Sequence, residues 1–280
     1  MSVGTNAGLD RVRLPAAVSP LVAAELTGSP QRRRVLAAFP SCLYVELGAH
    51  ERVLAVLASD AVLLPIGVRV AVPSSELHWG IEPGADIVVG EGRVCLPRVD
   101  VVATRPLRPG RVLPTAVGGG AAVPLPDAGV LGDLAHALTA AALAGRSVEP
   151  DVRGLVGAGR GLTPSGDDAL CGVLLSLSAV ESPDARRALA SVRTVVRSVL
   201  PRTTSLSAAL LVAAADGYAV PDVARLVTLL VGSGSTAPDL VERVLAIGHT
   251  SGRDLLAGVS GALRAVHDHA STSQEGARRA

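Results

Sequence analysis

An α+β fold is expected, with a small antiparallel β domain at the N-terminus followed by a mainly α-helical bundle domain. Three observations predict it. Residues 42–107 run as short Val- and Ile-rich segments broken by Gly, Pro and Asp. From Ala128 onward the apolar residues recur at helical spacing. Between the two lies a Pro- and Gly-rich stretch, 106–126, which reads as a linker or loop. The domains are accordingly taken as residues 1–115 and 116–280, the second carrying a glycine-rich motif.

The candidate strands are 42–47, 52–58, 67–72, 86–89, 93–96 and 99–104, with Gly90-Glu91-Gly92 as a hairpin turn. Their close and regular spacing argues for an antiparallel sheet or barrel. The candidate helices are 129–144, 166–180, 184–200, 205–216, 221–231, 238–247 and 252–270. Two of them carry stripes of small residues at helical spacing: Ala169, Gly172, Ser176 and Ala179, then Gly258, Gly261, Ala262 and Ala265. Glycine inside a helix costs about 1 kcal/mol relative to alanine, so close helix packing is its expected compensation.

Composition excludes several classes of function. The chain has 280 residues, 49% of them hydrophobic, and a net charge of +1, which gives a sizeable core without the basic surplus of a nucleic-acid binder. All 26 basic residues are Arg. Without lysine there is no Schiff-base chemistry and no lysine-dependent phosphate loop. Phe39, Tyr44, Trp79 and Tyr218 are too few for base stacking. Cys42, Cys95 and Cys171 form no C-x-x-C pattern and read as buried thiols in a reducing compartment. Residues 1–10 lack the layout of a signal peptide, and apolar runs such as 169–180 are too short to span a membrane. A cytoplasmic location is expected, with neither nucleic acid nor membrane as partner.

The densest signal is a pattern used twice. Ser165-Gly166-Asp167-Asp168-Ala169-Leu170-Cys171-Gly172-Val173 and Ser251-Gly252-Arg253-Asp254-Leu255-Leu256-Ala257-Gly258-Val259 both spell Ser-Gly-x-Asp-x-Leu-x-Gly-Val. Each copy reads as the start of a buried helix. A capping box accounts for Ser165 with Asp168, and for Ser251 with Asp254, without any ligand. It does not account for the opposite charges of Asp167 and Arg253 at matching positions, nor for the upstream Gly157-Ala158-Gly159-Arg160-Gly161.

Exposed helix starts favour anions, and glycines let backbone amides approach them. Gly159, Arg160, Gly161, Thr163, Ser165, Gly166 and Asp168 are therefore candidate anion-binding residues, with Thr250, Ser251, Gly252 and Asp254 from the second copy. Thr204, in the run Arg202-Thr203-Thr204-Ser205, is a candidate third wall, although a Ser/Thr cap explains one of these hydroxyls. The candidate catalytic residues are Asp167, His249 and Arg253. Asp167 could serve as a base, a hydrogen-bond acceptor or a single Mg²⁺ ligand. His249 could shuttle a proton, and Arg253 could grip a carboxylate or phosphate. His267 and His269 face apart on a helix, and His136 reads as a surface partner of Asp133.

Gly159-x-Gly161-Leu162-Thr163-Pro164-Ser165-Gly166-Asp167-Asp168, together with Gly248-His249-Thr250-Ser251-Gly252-x-Asp254, resembles the AllH-type small subunit of bacterial oxamate carbamoyltransferase. The resemblance is strong over the helical half and faint before Ala128. Arg160 stands where an uncharged residue such as Pro is usual, and Cys171 where Ala is usual. The resemblance implies association with two larger subunits, one similar to acyl-CoA synthetases. It also implies phosphorolysis of a carbamoylated acid to oxamate and carbamoyl phosphate in purine or pyrimidine catabolism. Phosphate, carbamoyl phosphate and oxamate-like acids are all small anions, suited to helix starts and arginine. Two other readings stand beside it: a non-catalytic subunit that senses a metabolite in the same pocket, and a stand-alone Mg²⁺-dependent enzyme acting on a phosphorylated small molecule.

Overall fold

A computed structural model describes residues 11–118, 125, 128–232 and 237–279, with side chains as far as Thr272. The N-terminal segment 1–10 and residues 119–124 and 126 of the linker, read above as leaderless and loop-like, lie outside the described residues, as does residue 127. The chain divides into two compact units, Met1–Arg108 and Pro109–Ala280.

In the first unit, eight strands close into a barrel in the order β1-β5-β4-β3-β2-β6-β7-β8. They are β1 (Val12–Val18), β2 (Gln31–Phe39), β3 (Cys42–Glu46), β4 (Val53–Leu57), β5 (Gly67–Val70), β6 (Asp86–Gly90), β7 (Arg93–Cys95) and β8 (Val99–Pro106). A short helix, α1 (Ala23–Thr27), lies between the first two.

This corrects the expected small antiparallel domain, although α+β holds for the whole chain. Two of the eight pairings are parallel: β4 with β5, and the closing pair β1 with β8. Closure depends on β1 and β2, which composition conceals. Pro15 interrupts β1, but it precedes Ala16, where pairing with β5 begins, so one side of the strand is open there. Proline is tolerated at such a position. β2 opens on Gln31-Arg32-Arg33-Arg34 and turns apolar only at Val35. The hairpin at Glu91-Gly92 is as expected: Gly90 pairs with Arg93, and both loop residues have positive φ, 51° and 75°. That is the mirror-image turn which matches strand twist. Val35, Leu43, Leu54, Val68, Val94 and Val101 are wholly buried in this unit.

The second unit contains α2 (Gly129–Leu143), α3 (Glu149–Leu155), α4 (Ser165–Ala179), α5 (Pro183–Val199), α6 (Ser205–Ala215), α7 (Pro221–Gly232), α8 (Pro238–Leu245) and α9 (Ser251–Arg279). A two-stranded ribbon pairs β9 (Gly110–Arg111) with β10 (Tyr218–Ala219). Helix α3 escapes periodicity because it is only seven residues long, with Val152 and Leu155 as its buried side chains. Helix α4 is buried nearly all round and packs against α9, α6, α5 and α7. Among the described residues no helix is long and apolar enough to cross a membrane.

The small-residue stripes are the seams of this bundle. A Cβ on Gly172 would press into the carbonyl of Leu255, and one on Gly258 into the carbonyl of Ala169. Ala169 and Leu255 occupy the same place in the two copies of the motif, so the α4–α9 contact is reciprocal. Gly261 meets the carbonyl of Gly132 on α2 in the same way. Alanine would gain about 1 kcal/mol of helix propensity at these sites. The backbone opposite cannot recede like a flexible side chain, and overpacking of this kind costs about 1–3 kcal/mol. Gly258→Ala and Gly172→Ala should therefore lower unfolding free energy by about 2 kcal/mol in denaturant titrations. Gly154→Ala on α3, where a Cβ meets nothing within 4 Å, should be neutral or stabilise by up to about 1 kcal/mol. Equal effects at the three positions would contradict the seam.

Candidate active site

The two motif copies start their helices with the same backbone device. In the first, Ala158 N–H donates to Leu155 O at 2.9 Å and Gly166 N–H to Ala158 O at 2.8 Å. In the second, Ile247 N–H donates to Val244 O at 3.0 Å and Gly252 N–H to Ile247 O at 3.0 Å. Gly166 and Gly252 are glycine because any Cβ would enter the carbonyl of Leu155 or Val244, the ends of α3 and α8.

The first copy carries the longer loop. Gly157, Gly159 and Gly161 all have left-handed φ (75°, 125° and 88°). A Cβ on Gly157 would lie 2.5 Å from Arg202 O, and one on Gly159 2.6 Å from Ser165 N. The loop therefore folds tightly onto the start of α4. Amides expected to cradle an anion are partly satisfied within the chain: Gly166 by Ala158, and Asp167 and Asp168 by Pro164 O at 2.9 and 3.2 Å.

The expected capping boxes do not form as read. The residue before the first turn of α4 is Pro164, with no side-chain cap, and Ser165 is already helical. Serine therefore sits one position too late to cap. Ser251 is likewise the first residue of α9, and its Oγ lies 2.9 Å from Thr163 Oγ1. A hydroxyl contact thus joins the two copies. Thr204 does cap its helix, accepting from Ser207 N at 3.1 Å, and its hydroxyl donates to Leu162 O.

Asp167 is wholly buried and both its oxygens are occupied. Oδ1 accepts from Gly157 N at 2.9 Å; Oδ2 accepts from Ser207 Oγ at 2.7 Å and from Thr203 Oγ1. One carboxylate thereby ties the glycine loop, the turn before α6 and α6 itself to α4. Among the described residues no group of three or more His, Cys, Asp or Glu side chains could hold a metal ion. Its counterpart Arg253 is exposed, as are Arg160, Gly161, His249 and Thr250. No ion pair among the described residues takes up Arg160 or Arg253.

Asp168 and Asp254 are the residues that the structure sets apart. They are 7% and 9% exposed, and Oδ2 of each has no hydrogen-bond partner. Burial pushes the Asp168 carboxyl up to about 7, and the nearby charges of Asp254 and Asp167 add to the rise. The Ser251 and Thr163 hydroxyls oppose it. The junction of the two motifs thus holds Thr163, Ser251, Asp168 and Asp254, with a carboxyl that exchanges its proton near neutrality. Thr203 and Ser207, the hydroxyl donors to Asp167, flank Thr204 in sequence, and only their nearness to that cap marks them there. Two further histidines have carboxylate partners on other helices: His136 pairs with Asp268 at 2.9 Å rather than with Asp133, which binds Arg264, and His269 with Asp184 at 3.0 Å.

A duplicated glycine–aspartate helix start with a buried, proton-exchanging carboxyl at its junction marks a helical unit built around a polar site. Residues 155–263 match the model of a family described as oxamate carbamoyltransferase subunit AllH. The resemblance drawn from the two motifs is borne out over that segment, which takes in both copies and helices α4 to α8. No solved structure matches this chain.

Two outcomes follow from these acids. Asp167→Ala strands three donors and should cost about 3 kcal/mol in denaturant melts, whereas exposed Arg253→Ala should stay within about 0.5 kcal/mol. Asp168 has a folded pKa above its unfolded value of 3.8. Between those values the folded state binds more protons, so this group's contribution to stability falls as pH rises from about 4 to about 7. Asp168→Asn should remove that slope and gain on the wild type at pH 8. Parallel melting curves across the interval would contradict the raised carboxyl.

Proposed function

We propose that this chain is the small subunit of an oxamate carbamoyltransferase-like complex and holds a small anionic substrate at the junction of its two motifs. The observation that carries the reading is the meeting of Thr163, Ser251 and Asp168, from loops well separated in sequence, at a carboxyl with an unpartnered oxygen. The match of the same segment to the family of that description supports it.

The chemistry is phosphorolysis of a carbamoylated oxamate. A phosphate oxygen attacks the carbamoyl carbon, the bond from that carbon to the oxamate nitrogen breaks, and carbamoyl phosphate departs. Hydrogen phosphate loses one proton and the leaving nitrogen gains one, so the step needs a carrier rather than a net acid or base. Asp168, titrating near neutrality, is matched to that task. Arg253 and Arg160, exposed beside the junction, supply the charge that phosphate or oxamate requires. His249 and Thr250, exposed and immediately before Ser251, are the further contacts this reading assigns. Asp167 serves by holding the glycine loop in place. The larger subunits, including one similar to acyl-CoA synthetases, complete the complex in a reducing cytoplasm.

The test uses the complex reconstituted with its partner subunits. Asp168→Asn should lower turnover by about a hundredfold or more and remove a limb of the pH–rate profile near neutrality. Arg253→Ala should raise the KM for phosphate with a smaller effect on turnover. Unchanged turnover and pH profile in Asp168→Asn would take the chemistry away from this chain.

A further inference from the structure

The barrel unit carries a second polar feature, independent of the junction in the helical unit. Strands β5, β1 and β8 are consecutive around the ring. Ala17 of β1 pairs with Arg69 on one side and with Arg105 on the other. The β1–β8 register shifts between Ala16 and Ala17, just before this pair, and Arg69, Ala17 and Arg105 line one pocket across three neighbouring strands, the two outer strands lying roughly 10 Å apart. Arg108, just past β8, joins them in lining a pocket of about 480 Å³. No carboxylate lines that pocket. Among the described residues no ion pair takes up any of the three guanidiniums. Asp60, whose charge reaches Arg69, is held instead by Ser74, through N at 2.8 Å and Oγ at 2.6 Å. Arg69 is itself fixed, donating to Ser59 O.

We infer that this pocket is a binding site for a phosphate group, free or carried by a small molecule. Three like charges in one concavity repel each other, and a compensating anion removes that cost. The guanidinium fork matches phosphate oxygens bidentately, and three forks match a doubly charged oxyanion better than a single carboxylate. Ala17, buried between the two arginines, lies at the pocket floor, and the volume lies within the range of small-molecule sites. With Arg69 anchored and Arg105 and Arg108 at the rim, the site combines a fixed donor with two that can close on the ligand.

The probe is inorganic phosphate, titrated calorimetrically into the full chain carrying Arg253→Ala, at constant ionic strength. Binding should persist in that background. Arg105→Glu and Arg108→Glu should each weaken it by at least about tenfold, the usual worth of a hydrogen bond to a charged group. Their unliganded melting temperatures should equal or slightly exceed the parent's, because both side chains sit at the rim and the reversed charge relieves the repulsion. Arg32→Glu, on β2 across the ring, serves as the control and should leave affinity within about twofold. ADP is the second arm: equal affinity identifies the free ion as ligand, and tighter binding identifies a phosphorylated small molecule. No binding in the Arg253→Ala background, or an equal loss with Arg32→Glu, overturns the site.

Discussion

The approach of α4 to α9 through Gly172 and Gly258 is the constraint on which the polar junction depends. Each glycine lies against the carbonyl that precedes the other by three positions in the motif, so neither helix can move without loosening both contacts. Once the helices are locked at that distance, the first turns of both are also fixed. Thr163 and Ser251 then come within hydrogen-bond reach, and Asp168 and Asp254 share one buried space. A wider crossing, of the kind leucine-lined helices make, would admit water between these groups and relieve the carboxyl that now holds its proton to near pH 7.

The matching positions Asp167 and Arg253 divide the work between two otherwise similar halves. Asp167 turns inward and gathers a loop amide and two hydroxyls, which stiffens the longer loop. Arg253 turns outward to solvent. Duplication supplies the scaffold, and this one substitution makes the two starts unequal. The internal repeat thus presents an acid inward and a cation outward at matching positions.

Much of this was legible in the residues, and the gaps have physical causes. The helices other than α1 and α3 and the small-residue seams are periodic features, and the hairpin at Glu91-Gly92 is a local one, so short stretches of sequence carry them. The closure of the barrel is not local: β1 meets β8 in parallel across the whole unit, and nothing in Val12–Val18 announces a partner at Val99–Pro106. The two motif loops meet at Thr163 and Ser251, but nothing in the pattern tells which acid of α4 has both oxygens occupied, Asp167, and which keeps one unpartnered, Asp168. Asp167 stood out by its contrast with Arg253, whereas Asp168 looked accounted for by a cap. The cap failed because Pro164, not Ser165, precedes the first turn. That one-residue offset lies below the resolution of a sequence pattern.

The parallel closure of the barrel has a consequence for synthesis. Of the eight strands β1 is made first, yet its partners β5 and β8 follow only after most of the unit has been made. Until β8 arrives, β1 is an unpaired edge, and long-range pairing of this kind makes for slow folding. Arg11, Arg13 and Pro15, in and beside the strand, are the residue types that keep such an edge from pairing with a neighbouring chain. The same proline and charges that hide β1 from a reader of the sequence protect it from other nascent chains during the wait.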